Sequence, residues 1–224
     1  MSKIKDYSNI AIRISDKRRF IEMVAVLITA LGKFVFMDFL AWRLPFITIV
    51  SVSWIAYIVY RKIEIKGIFK YWGLTLDTFK ASALKVIPFG IISVICCFAI
   101  GHFQQTINIT WHIIPILILY PIWGTIQQLL TIGLIAGNLQ DLKYKKLADI
   151  TIISITALLF AIVHFPYYWL VIGTFLLAAF YSYLYLKIRN LFVLGILHGW
   201  LGALFFYTVV GRDPFEEVFG VLFK

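Results

Sequence analysis

Long apolar runs separated by short clusters of basic residues make up almost the whole of this chain. Taking runs of roughly 17 to 25 residues as bilayer spans predicts seven helices, at about 20–40, 44–60, 83–101, 113–138, 150–165, 168–186 and 191–210. The first run carries Glu22, Lys33 and Asp38, so it can lie partly against other helices or in the interface. The second is short and ends at Arg61. The fold class predicted is an all-α integral membrane protein, a polytopic bundle of about seven transmembrane helices. Three parts follow: an entry segment at 1–19, one bundle at 20–210, and a tail at 211–224.

Composition agrees with the pattern. Of 224 residues, 62% are hydrophobic and only 14% charged, and a mean hydropathy of +0.91 is too high for an ordinary soluble domain. The net charge of +10 does not point to nucleic acid, because the basic residues cluster at the ends of apolar runs. They also alternate. The first segment and every second loop hold sixteen Lys and Arg, against three in the other loops and the tail, which predicts a cytoplasmic N-terminus and an outer C-terminus. An integral protein of a bacterial plasma membrane is expected. The opening MSKIKDYSNIAIRISDKRRF lacks the apolar core of a secretory signal, so it is expected to be retained. Cys96 and Cys97 are adjacent and poorly placed for an ordinary bridge.

The stretch RKIEIKGIFKYWGLTLDTFK at 61–80 mixes Lys with Ile, Phe, Tyr and Trp. It fits either a segment lying among lipid headgroups or a plain polar connection. Between the third and fourth runs, His102 and His112 have no acid near them in sequence and read as solvated loop residues.

The polar residues inside the runs are few. Gln127 and Gln128 stand side by side in the middle of YPIWGTIQQLLTIGLIAGN, where hydrocarbon offers an amide no partner. His164 closes the fifth run just before Pro166, and His198 lies in the seventh between Gly195 and Gly199. At 1.5 Å per residue, Gln127 falls roughly 16 Å, His164 about 20 Å and His198 about 10 Å from the inner surface. These depths permit one shared site. Each residue also has a plainer reading: His164 as a helix end bonded to a carbonyl, His198 as an interhelical contact, the amides as glue between helices. Gly133 with Gly137, and Gly195 with Gly199, are spaced for close helix approach.

These residues stand in an order that resembles the CAAX protease and bacteriocin-processing family of intramembrane peptidases. That family carries EExxxR, FxxxH and HxxxN on successive helices. Here IQQLLTIG is similar to the first motif, with Gln127 and Gln128 at the glutamate positions and Ile132 at the arginine position. The second is intact as Phe160 to His164, and the third appears as His198 with Gly202 in place of the asparagine. The resemblance covers about 71–210, and WGLTLDTF resembles the segment that often precedes the family's core spans.

The resemblance implies an endopeptidase scaffold acting on peptide or prenylated-protein substrates within the membrane. It implies that Gln127, Gln128, His164 and His198 occupy the catalytic positions. A glutamine amide cannot take up the proton that a general base must accept, a contribution of typically 10² to 10⁴ in rate, so the glutamate mechanism does not operate unaltered. Of the eleven acids, only Glu22 and Asp38 fall in a span, both near its ends, and none is expected beside the motif helices at mid-depth. A histidine could serve as base. A catalytic zinc would need a third ligand besides the two histidines, so no metal and no cofactor is expected. Should hydrolysis take place, Gln127 and Gln128 would orient water and substrate, His164 would be base or water ligand, and His198 the oxyanion contact. The alternatives are a non-catalytic family member that binds a membrane-embedded peptide, lipidated tail or partner in an immunity or maturation role, and a small transporter. Membrane lipid is a partner in either case.

Overall fold

The computed structural model describes residues 10–220, and among them every regular element is a helix. We label them α1 (Asp16–Phe39), α2 (Arg43–Glu64), α3 (Ile68–Trp72), α4 (Phe79–Gln104), α5 (Ile113–Gln140), α6 (Asp149–Ile162), α7 (Tyr168–Lys187), α8 (Leu191–Val210) and α9 (Pro214–Phe219). All seven apolar runs are therefore helical. Six are long and apolar enough to cross a membrane, while α6, at 14 residues, is shorter. The faces turned away from the bundle are as apolar as its interior: on α4, Ile91, Ile92 and Ile95 are each more than half exposed. Such a surface suits a hydrocarbon solvent. The protein is an integral membrane bundle.

Three of the long helices change pitch near one end. Lys33–Phe39 in α1, Leu129–Ala136 in α5 and Phe206–Val210 in α8 are π-helical. Such stretches gather at functional sites, and the one in α5 begins directly after Gln128.

α5 and α8 form the centre of the bundle. Their approach is set by glycine. A Cβ at Gly199 would lie 2.6 Å from the Tyr120 carbonyl oxygen, and one at Gly124 would lie 2.6 Å from that of Gly195. The two backbones touch directly, as small residues permit. Gly195 and Gly199 thus act as their spacing predicts. Gly133 and Gly137 face side chains instead, Leu191 and Tyr185.

The segment at 61–80 is divided: Ile63 and Leu76 are exposed, while its middle is drawn into the protein. Ile68, Tyr71 and Trp72 are almost wholly buried in the main core. Gly67 and Gly73, both at positive φ, turn the chain in and out around α3. Tyr185 donates to the Trp72 carbonyl at 2.9 Å, and the Leu191 amide donates to the Gly73 carbonyl at 2.9 Å. The stretch dips into the basic end of the bundle and caps it. Aromatic and basic residues mixed at this density suit both a headgroup layer and a buried cap, and only packing separates the two.

The histidine loop also departs from expectation. His112 is not free of acids, because its Nδ1 lies 2.6 Å from Asp213 Oδ2. Asp213 begins α9, 101 residues away, a pairing no local pattern reveals. His102 is exposed and makes no such contact.

Candidate functional site

Gln127, His164 and His198 come together across α5, α6 and α8. His198 Nε2 lies 2.9 Å from Gln127 Oε1, made possible by the close approach of Gly124 and Gly195, one turn from Gln127 and His198 respectively. On an upright helix His198 would sit nearer the basic end than Gln127. The two nevertheless meet, and the helix that carries Gln127 turns π-helical directly after Gln128.

His164 joins through Phe160. The Phe160 ring is nearly buried and lies edge-on to His164 at 4.9 Å and tilted against His198 at 5.5 Å. Phe160 is therefore the wall between the two imidazoles, a role that its place in FxxxH does not announce. Its carbonyl accepts from His164 Nδ1 at 2.7 Å.

These contacts fix the protons. A carbonyl only accepts, so His164 carries its hydrogen on Nδ1 and presents a lone pair at Nε2. His198 donates through Nε2 to the Gln127 amide oxygen, which leaves Nδ1 as its acceptor. That Nδ1 is buried and without a hydrogen-bond partner. The two histidines are opposite tautomers on either side of one aromatic ring.

Gln128 is not brought into this group by any hydrogen bond. It is fully buried, and both its amide atoms lack a partner within the protein. A buried amide in this state costs roughly 1 to 3 kcal/mol, so the position holds binding capacity that the folded chain leaves unused.

Among the described residues no carboxylate bonds to Gln127, Gln128, His164 or His198. No group of three His, Cys, Asp or Glu is gathered as a metal site among them either. Glu22, however, stands closer to the motif helix than expected. Its Oε2 accepts from Asn138 Nδ2 at 2.7 Å, at the basic end of α5. It belongs to a second buried polar group there, with Arg19, Arg61, Tyr57 and Tyr71. No sequence signal linked these residues, which come from four separate elements.

Residues 109–204 match the model of a family described as Type II CAAX prenyl endopeptidase Rce1-like. Over these residues the chain is similar to that family. No curated protein and no solved structure matches the chain. The Rce1-like segment runs through α5, α6, α7 and most of α8, and so contains all four motif residues. It is shorter than the 71–210 that the motifs suggested. The cap at 61–80, the spans α1, α2 and α4, and the closing helix α9 lie outside it. The matched segment is thus a four-helix unit against which α1 and α4 pack.

Proposed function

We propose that this chain uses an Rce1-like membrane scaffold to bind a membrane-embedded peptide or lipidated protein segment, without glutamate-driven hydrolysis. One observation carries the reading: the contact from His198 Nε2 to Gln127 Oε1 at 2.9 Å. The amide fills the place beside the histidine where a general base has to stand, and it cannot store a proton. What remains suits recognition. An extended peptide offers alternating N–H and C=O groups, and the site offers it the His164 Nε2 and His198 Nδ1 acceptors with the amide of Gln128. In hydrocarbon, where no water competes, such groups bond a peptide backbone strongly. The basic end of the bundle faces the cytoplasm in this reading, as the charge alternation supports.

The test is a membrane-reconstituted panel of prenylated and unmodified peptides carrying a photo-crosslinker, with cleavage and capture both read. The unaltered protein captures peptide without cleaving it, and Gln127→Glu combined with Gln128→Glu gains cleavage. Cleavage by the unaltered protein that disappears in His164→Ala would establish a histidine-centred peptidase and end the binding-only reading.

A further inference from the structure

The turn that carries His164 is held by residues from outside the Rce1-like segment. α6 has 14 residues, about 21 Å of rise, against a hydrocarbon core of about 30 Å. The chain therefore leaves the helix at 163–167 while still at membrane depth. Backbone carbonyls freed there must be satisfied from within the protein. Lys33, in the π-helical part of α1, does this. Its Nζ donates to the Phe165 carbonyl at 3.2 Å and is itself held by Asp38 Oδ2 at 2.7 Å. On the other side the Arg212 guanidinium lies 4.8 Å from the Tyr167 ring centroid, and Glu217 binds it from α9.

We propose that Lys33 is a positioning residue of the site, its ammonium fixing the Phe165 carbonyl and thereby the direction in which His164 presents Nε2. The His164 ring has little freedom of its own, because Nδ1 is tied to the Phe160 carbonyl. Its aim follows the backbone of the turn, and the turn follows Lys33. A lysine at this depth is costly unless paired, and Asp38 supplies the pair. The inference rests on the proposed site but not on whether bound peptide is cleaved.

The test is acylation of histidine by diethyl pyrocarbonate on the detergent-solubilised full chain, followed residue by residue by mass spectrometry. Exposed His102 serves as the internal reference. In the unaltered protein His164 reacts much more slowly than His102. In Lys33→Met the ratio rises roughly tenfold, the effect of losing a charge-assisted hydrogen bond that restrains the turn. Lys33→Arg returns it close to the unaltered value, a rescue that a simple packing role would not show, and Asp38→Asn gives an intermediate ratio. An unchanged ratio in folded Lys33→Met overturns the proposal, as does a His164 that reacts as fast as His102 from the start. Where Lys33→Met does not fold, Asp38→Asn decides, and an unchanged ratio there is equally fatal. Loss of peptide capture with these labelling differences intact would sink the functional reading alone.

Discussion

Arg19 and Asn138 meet at 3.1 Å across 119 residues of sequence. The contact joins the first span to the far end of the helix that carries the glutamine pair. Arg19 also donates to Tyr71 at 2.5 Å, Asn138 passes the connection to Glu22, and Arg61 lies 3.4 Å from the same carboxylate. Asp141 binds Arg189 at 2.9 Å beside them. The Rce1-like segment is thus fastened at the basic end of the bundle partly by charges from outside it, those of Arg19, Glu22 and Arg61.

Removing one member of this group leaves another charge buried and uncompensated. Arg19→Met and Glu22→Gln are each expected to destabilise the protein by about 3 to 5 kcal/mol. Thermal unfolding in a single detergent measures this. A change within about 0.5 kcal/mol in both variants would show that water, not the partner side chains, satisfies the group.

The two glycines of the last span make a sharper comparison. A Cβ at Gly199 would run into the Tyr120 and Pro121 backbone, whereas one at Gly202 meets nothing within 4 Å. Backbone cannot step aside as a side chain can. Gly199→Ala should therefore cost on the order of 1 to 3 kcal/mol and separate His198 from Gln127, while Gly202→Ala is neutral or slightly stabilising through helix propensity. Equal effects of the two substitutions on unfolding would contradict the α5–α8 packing described above.

The tautomers are open to direct observation. Nitrogen-15 histidine spectra are expected to show His164 protonated at Nδ1 and His198 at Nε2. In Gln127→Leu the His198 preference disappears, because no acceptor remains opposite Nε2, and stability falls by roughly 1 to 3 kcal/mol for the unsatisfied donor. His164, bonded to the Phe160 carbonyl within its own helix, keeps its signature in that variant.

Much of this architecture is written in the sequence, because in a bilayer hydropathy dominates every other signal. All seven runs are helices, and the Gly195 and Gly199 spacing foretold the close approach of α8 to a neighbour. The depths of Gln127, His164 and His198 along three runs permitted one shared site; in the fold His198 meets Gln127, and the Phe160 ring touches both imidazoles. What stayed hidden has a common cause. Arg19, Glu22 and Arg61 sit at run ends, where charges ordinarily face water, so their burial depends on which helix ends converge. The pairing of His112 with Asp213 and of Lys33 with the Phe165 carbonyl likewise depends on chain paths set by tertiary packing. Phe160 is one of twenty phenylalanines, and its position between the imidazoles follows from the α6–α8 geometry alone.

Asp213 supplies the pH dependence. Burial pushes its carboxyl up, but hydrogen bonds from Thr110, His112 and Tyr207 outweigh this and hold it below its ordinary 3.8. The same carboxylate caps α9 by accepting from the amides of Phe215 and Glu216. A depressed native value means that the unfolded cap binds protons more readily than the folded one. The stabilisation is therefore fully present above the ordinary carboxylate range, from about pH 5 upward, and is lost as pH falls through the lower folded value. Hydrogen exchange at the α9 amides should be slow near neutrality and accelerate steeply in acid, while Asp213→Asn, which has no such proton to bind, removes most of that acid dependence. Because His112 packs against both Trp111 and Phe215, tryptophan fluorescence should change with the exchange. An acid transition of α9 that survives intact in Asp213→Asn would rule out the cap carboxylate as its origin.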